Sequence, residues 1–524
     1  MVRRRACTSF VIAAAATLHV IGGPGLRADP AQKPAKTLTR ADLLWLDRVT
    51  FGMNNATVAA YQQLGREKFL EQQLRPVAPD PPALQAAIGA LSISRMSAEA
   101  RVMSNRAEQQ RINALPDDTA KQAARQALNE AANQANYQTA KRHLMRAIAS
   151  PAQLREQMTW FWMNHFSVFS GKANLRWTIP EYEDALRSHA FDRFSDLVMA
   201  VVTSPAMLEY LDNAQSASGR INENFARELM ELHTLGVSGG ASGSTYTQQD
   251  VQELARVLTG AGVNFTGASP KLNPKLQPLY VKRGAFEFNP ARHDAGEKTV
   301  LGRRFQPGGL DEIQSAVEML CRQPATARFV SRKLATYFLA DTPPPGTVDR
   351  MVRSFQSSDG SIAAVLKTMF LDRDALAMMS AKTPTQKFKD PMVFVVSSLR
   401  LAYENKVLTN FRPIVGWLQQ LGEPLYGRVT PDGYALTEPA WTSSGQIVKR
   451  FEIARAIGSG NAGLFNNDDN TPGPNIGFPM IGSKFFFERV EPALSVKTRE
   501  ALGLAASQQE WNTMLLASPD WMQR

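Results

Sequence analysis

From residue 39 onward, apolar side chains recur every three or four positions, the spacing that lines one face of a helix. "TRADLLWLDRVTFG" (39–52) sets Leu43, Leu44, Leu46 and Val49 on one side before Gly52 stops the turn. "NATVAAYQQLGREKFLEQQL" (55–74) repeats the pattern, so the two stretches read as a helical hairpin. Residues 97–150 are rich in alanine, glutamine, asparagine and arginine, with Pro116-Asp117-Asp118 dividing them. Such residues form helices well and cores poorly, which predicts one or two long, partly exposed bracing helices.

From Pro151 the pattern turns strongly apolar and aromatic, in "SPAQLREQMTWFWMNHFSVF" (150–169). "SPAMLEYLDN" (204–213) offers Ser204 as a cap and Pro205 at the first helical position. Thr247 caps "QQDVQELARVLTG" (248–260), and Gly260 ends it. Residues 264–310 differ: Pro, Gly and Asn are frequent, and a brief alternation in "AFEFNPARHDAGEKTVLG" (285–302) predicts a short β-hairpin or two extended segments. Helices resume at 311–339 and 347–404, around the rigid connector "ADTPPPG" (340–346). Turn-rich stretches at 421–445 and 457–478 precede a last helix at about 494–517. The fold class is therefore mainly α. One large helical domain is expected over residues 29–524, with a brace at 97–150, a loop or hairpin insert at 264–310 and a turn-rich part at 421–493.

Residues 1–28 have the layout of a secretion signal: Arg3, Arg4 and Arg5, an apolar stretch from Ala6 to Ile21, helix-breaking Gly22 to Gly25, and Ala28 at the cut. The arginines raise a twin-arginine route, but no hydrophobic pair follows them. No later stretch reaches eighteen apolar residues, so no membrane anchor is expected after the signal is removed. The destination is periplasmic or extracellular. Signal removal takes four arginines and no acids from a chain of formal charge +11, leaving +7. Nucleic-acid binding would concentrate this charge in a stripe with aromatics between, and none is visible; contact with an acidic polymer or anionic lipid stays open. Cys7 leaves with the signal and Cys321 stands alone on a helical pattern, so the mature chain forms no internal disulfide.

The chain carries no phosphate loop, no HExxH zinc helix, no CxxC pair and no GxSxG elbow. What stays is a set of histidines, of which His165, His233 and His293 sit among groups that could do chemistry. On "NENFARELMELHTLGV" (222–237), at about 100° per residue, Glu223, Arg227 and Glu231 share one stripe that Asn224 and Glu228 extend. Their spacing of four reads as a salt-bridge ladder. His233 flanks the opposite, apolar face, more than a quarter-turn from Glu228 and Glu231. A ferritin-like metal helix needs Glu and His three apart on one face, so this helix alone makes no metal cage. His165 shares the apolar side of its own helix with Met158, Phe161 and Trp162, while Asn164 lies nearer Trp160. Each histidine reads either as a core ring bonded to a carbonyl or as part of one cleft between packed helices. "FNPARHDAGEK" (288–298) places His293 and Asp294 together in an expected loop, with Gly296 and Lys298 following. Adjacent His and Asp on such a loop suit acid–base work or metal ligation.

Together these segments resemble a large bacterial family of exported proteins catalogued as domain of unknown function number 1800. The stretches that carry the resemblance include "LDRVTFG" (46–52), "EQMTWFWMNHF" (156–166), "NENFARELMELHTLGV" and "YTQQDVQELARVLTG" (246–260). They continue with "FEFNPARHDAGEKTVLG" (286–302), "PATARFVSRKLATYF" (324–338) and the ending "LLASPDWMQR". One departure is Ala261, where the family often has tryptophan after the threonine-glycine pair. The resemblance implies an exported, largely helical protein and an exported partner related to phosphatases and sulfatases. It brings no catalytic residues or cofactor.

Two readings follow. In the first, the protein is a hydrolytic enzyme of the cell envelope with His293 and Asp294 as acid–base pair or ligands, and His233 and His165 as second groups. Glu228 is then a carboxylate partner; Asn164 and Glu231 line the site, with Lys298 or Arg227 as an anion clamp. In the second, it is a non-catalytic envelope binding or assembly protein whose histidines and carboxylates form a buried network. Convergence of the named side chains separates the two.

Overall fold

The computed structural model describes residues 38–75, 79–237, 246–381, 385, 387–404, 406–469, 471–474 and 476–524. The expected signal, residues 1–28, lies outside them. Helices take up 61% of the chain and strands only 4%, which makes the protein mainly α. Residues Thr37–Arg524 are knit into one unit.

The fold begins where the apolar pattern begins. Helix Arg40–Val49 is closed at its start by a reciprocal capping box between Thr39 and Asp42. It buries Leu43, Leu44, Trp45, Leu46 and Val49. Gly52 follows with φ +110, and a Cβ there would lie 2.5 Å from the Cβ of Ser397. This glycine therefore lets the chain press against the fully buried helix Pro391–Tyr403. Helices Asn55–Leu64 and Arg66–Leu74 complete the N-terminal hairpin.

The brace comprises helices Ala98–Asn113 and Asp118–Ala149, broken near Pro116. The second, 32 residues long, would span about 48 Å at a rise of 1.5 Å per residue. Only its first half is a brace. From Tyr137 to Ala147 it is buried, and its polar side chains there are paired: Lys141 with Asp468, Arg142 with Asp184.

Helix Gln153–His165 buries nearly every side chain, apolar and polar alike. A helix apolar on one face only would sit at the surface; one sealed all round belongs at the centre. Against it pack helices Arg66–Leu74, Asp118–Ala149 and Leu175–Ser188, and its aromatic rings meet Phe194 of Phe194–Val202 and Tyr337 of Pro324–Phe338.

The insert is more ordered than a hairpin. Strand Phe286–Phe288 is the middle of a three-stranded antiparallel sheet, flanked by Ala261–Val263 and Val281–Arg283. A separate hairpin joins Lys298–Val300 to Arg303–Phe305. Its two turn residues, Leu301 and Gly302, both have positive φ (50 and 74), the backbone twist that two-residue hairpins favour. Near the C-terminus the expected single helix is two, Val496–Leu502 and Gln508–Leu516, because Gly503 ends the first. Among the described residues no helix is long and apolar enough to cross a membrane.

Candidate functional site

The helix Gln153–His165 ends on His165, whose ring is buried among Phe161, Phe166, Phe194 and Phe329. Its Nε2 lies 3.1 Å from the main-chain oxygen of His233. A carbonyl can only accept, so Nε2 carries the hydrogen and Nδ1 presents its lone pair. The amine of Lys333, from helix Pro324–Phe338, donates to that Nδ1 at 2.9 Å. Burial and the neighbouring Lys333 charge hold His165 well below the usual imidazole range. Lys333 is half-buried, and burial pulls its amine down to about 8 against the weaker upward pull of Asp432.

His233 reaches this place through a distortion that a regular helix lacks. The helix Asn224–Glu228 widens into a π turn over Leu229–Thr234. Leu235 N–H bonds back to Met230 O at 2.8 Å, and the Thr234 hydroxyl donates to Leu229 O at 2.6 Å. Such single π turns frequently mark functional sites. The ring of His233 is fully buried, 6.0 Å from that of His165, and among the described residues neither of its nitrogens has a hydrogen-bond partner. Burial, aided by Lys333, pulls it down to about 3.

The expected ladder keeps one of its two rungs. Arg227 bridges Glu223 at 3.2 Å and Gln248 at 2.9 Å but makes no bond to Glu231, because the widened turn breaks the spacing of four. Glu228 and Glu231 are both half-buried. Burial raises the Glu228 carboxyl, and Glu231 and Asp432 add to this against Arg227. Asp432 thus lies within electrostatic reach of both Lys333 and Glu228. It is held by Arg428 at 2.6 Å and Thr430 at 2.6 Å. Asn164 fixes this loop: its amide donates to Tyr434 O at 3.0 Å and accepts from Tyr434 N–H at 2.6 Å. Asn164 is accordingly a positioning residue.

His293 and Asp294 do not join this centre. His293 Nδ1 lies 2.8 Å from Thr259 O, and its Nε2 lies 3.0 Å from Glu312. Lys298 completes a buried set, 2.8 Å from the other Glu312 oxygen. Asp294 is clamped by Arg256 at 3.1 Å, and this hydrogen bond holds its carboxyl below the usual range. None of these partners contacts His165 or His233. The segment is the loop expected, with Ala295 to Glu297 exposed, but His293 and Lys298 turn inward to Glu312, so Lys298 is an internal counter-ion rather than an anion clamp.

The residues of one wall were legible as apolar-side histidines. Lys333 and Asp432 were not singled out, nor were Arg256 and Glu312. Lys333 left a trace: it follows Phe329 by four in "PATARFVSRKLATYF", a cation on an otherwise apolar face. Asp432 lies in a turn-rich stretch where no period points to a partner.

The neutral imidazoles make stability fall in acid. Unfolded histidines take up protons near pH 6.5, whereas His233 does so only near 3 and His165 well below its usual range. In that window the unfolded chain binds more protons, so stability drops as pH falls from 6.5 toward 3. Lys333 acts in the alkaline range: between 8 and 10.5 the folded amine has released a proton that the unfolded one keeps, so its contribution rises with pH. His233→Leu, which keeps the main-chain oxygen for His165, should flatten the acid slope of the thermal midpoint. A slope parallel to wild type would contradict this account.

Among the described residues no group of three or more His, Cys, Asp or Glu side chains stands where it could hold a metal ion. No curated protein and no solved structure matches the chain. Over residues 44–523 it matches the family described as a protein of unknown function (DUF1800), and the chain belongs to that family.

Proposed function

We propose that the protein is an exported hydrolytic enzyme with Lys333 as general base and Glu228 as general acid. The observation that carries this reading is the opposed pair: an amine lowered to about 8 and hydrogen-bonded to His165, within reach of the same Asp432 as a carboxyl raised by burial. Both groups are moved from their usual values toward the middle of the pH scale, where an amine can serve as base and a carboxyl as acid. In the resting site His165 Nδ1 accepts one N–H of Lys333, which orients the amine. The neutral amine takes a proton from the attacking water, and Glu228 gives its proton to the leaving group. Arg3 to Arg5 and the apolar stretch after them support export.

The test is turnover by purified protein across phosphate, sulfate and carboxylate esters, the first two chosen because of the phosphatase- and sulfatase-related partner that the family resemblance implies. Lys333→Met and Glu228→Gln should each lower the active rate by about 10²–10⁴-fold, the usual weight of acid–base catalysis. Amine-selective acylation of Lys333 should show a midpoint near pH 8. Turnover unchanged in both variants would sink the reading. The sealed His293–Lys298–Glu312 network favours the rival, a non-catalytic envelope binding or assembly protein. That rival would stand if no ester turned over and the variants kept the native fold.

A further inference from the structure

A cavity of about 480 Å³ opens between the N-terminal helices, the buried end of Asp118–Ala149 and the helix Pro391–Tyr403. It shares no residue with the Lys333 site, and its volume falls within the range of small-molecule pockets. Its walls are mostly apolar, with Ala60, Phe69, Leu84, Ala87, Ile148 and Phe411 prominent. Buried amides in the wall are already spent. Gln73 bonds Pro151 O and Leu154 N–H, each at 3.1 Å. Gln153 bonds Phe51 N–H at 3.2 Å and Ser150 O at 2.7 Å.

Arg400 is the exception. It is only 4% exposed, yet no carboxylate among the described residues pairs with it. Its Nε donates to Gly52 O at 3.2 Å, one terminal nitrogen to Ile148 O at 2.6 Å and the other to the Thr57 hydroxyl at 3.1 Å. All three partners are neutral oxygens. A guanidinium has five N–H groups, so two are left over. The wall's own carboxylate, Glu404, accepts from Asn55 N–H at 3.2 Å and leaves the guanidinium uncompensated. A buried cation without a counter-ion is costly, and here it borders an apolar space.

We propose that this cavity binds an anionic single-chain amphiphile, its carboxylate or phosphate head on the two spare N–H groups of Arg400 and its aliphatic chain along Ala60, Leu84 and Ala87. Charge and shape divide the work: the guanidinium favours an anionic head, which it can grip in bidentate fashion, and the apolar wall favours a chain over a compact anion.

The test is calorimetric titration of the mature protein, below micelle-forming concentrations, with dodecanoate, dodecyl phosphate and dodecanol. One anionic ligand should bind per chain, with dodecanol at least about tenfold weaker, the loss expected for one missing charged contact. The tighter of the two anions identifies the natural head as carboxylate or phosphate. Ala87→Trp should abolish binding by filling the wall without touching Arg400. Arg400→Met should bring the anion down to the alcohol; if that variant does not fold, Ala87→Trp and the anion–alcohol contrast in the wild-type protein carry the test. Lys333→Met should bind dodecanoate as the wild type does, which separates this site from the proposed catalytic one. Absence of binding, equal affinity for dodecanol, or undiminished binding by Ala87→Trp would overturn the proposal.

Discussion

Replacing Lys298 by methionine is expected to destabilise the fold by about 3–5 kcal/mol, the cost of breaking a buried ion pair by removing one partner. Lys298 and Glu312 have no exposed side-chain surface and lie 2.8 Å apart. Glu312 also meets His293 at 3.0 Å, and these two contacts outweigh burial in holding its carboxyl below the usual range. Without Lys298, the carboxylate keeps its desolvation and is left with His293 and the Gly308 N–H. Methionine fills much the same volume, so the loss is electrostatic rather than a cavity. Urea unfolding should show a lower midpoint with an unchanged slope. Lys298→Met combined with Glu312→Leu should recover most of the loss, because replacing both charges by apolar groups is often close to neutral. A single variant as stable as wild type would show that this network contributes nothing, and would reopen Lys298 as a group free for chemistry.

Gly433→Ala should be comparably damaging, for a steric reason. Gly433 has φ +75, and a Cβ there would lie 2.1 Å from the main-chain oxygen of Asn164 and 2.7 Å from its Oδ1. The left-handed conformation alone costs an ordinary residue about 1–2 kcal/mol. The overlap with backbone must also push away the loop that Asn164 clamps through Tyr434, so a total of about 3 kcal/mol or more is expected. The loop carries Asp432, whose charge pulls Lys333 upward. Its displacement should therefore move the acylation midpoint of Lys333 below 8. Asp432→Asn should give the same titration shift with little loss of stability, since its side chain is half-exposed. An unchanged midpoint in both variants would remove Asp432 from the site.

Where local chemistry decides, the sequence was a reliable guide. The cap of Gln248–Leu258 is one such case: Thr247 and Asp250 bond each other's backbone within a single turn. The apolar side of His165 is another, since it follows from spacing along a regular helix. The candidate site was legible only by halves. His165 meets His233, Asn164 holds the loop of Asp432 and the charge of Asp432 reaches Glu228, whereas His293 and Lys298 turn to Glu312 and Asp294 to Arg256. Adjacency of His and Asp in "ARHD" looked like a loop's chemistry, yet Thr259, Glu312 and Arg256, which close that segment, come from other parts of the chain.

Periodicity, caps and turn residues act over a few residues, so the helical class, the helices of 97–150 and the change of pattern near 264–310 were legible in the sequence, whereas the burial of Tyr137–Ala147 and the pairing of Ala261–Val263 with Phe286–Phe288 were not. The π turn at Leu229–Thr234 was not, because the 3.6-residue period that exposes a helix cannot register one widened turn. Nor was Lys333. Burial lowers its amine, the ring of His165 orients it and the charge of Asp432 pulls it part of the way back up, each from a separate element. Tertiary structure decided the chemistry because desolvation and charge proximity depend on distance in space, and separation along the chain does not encode it.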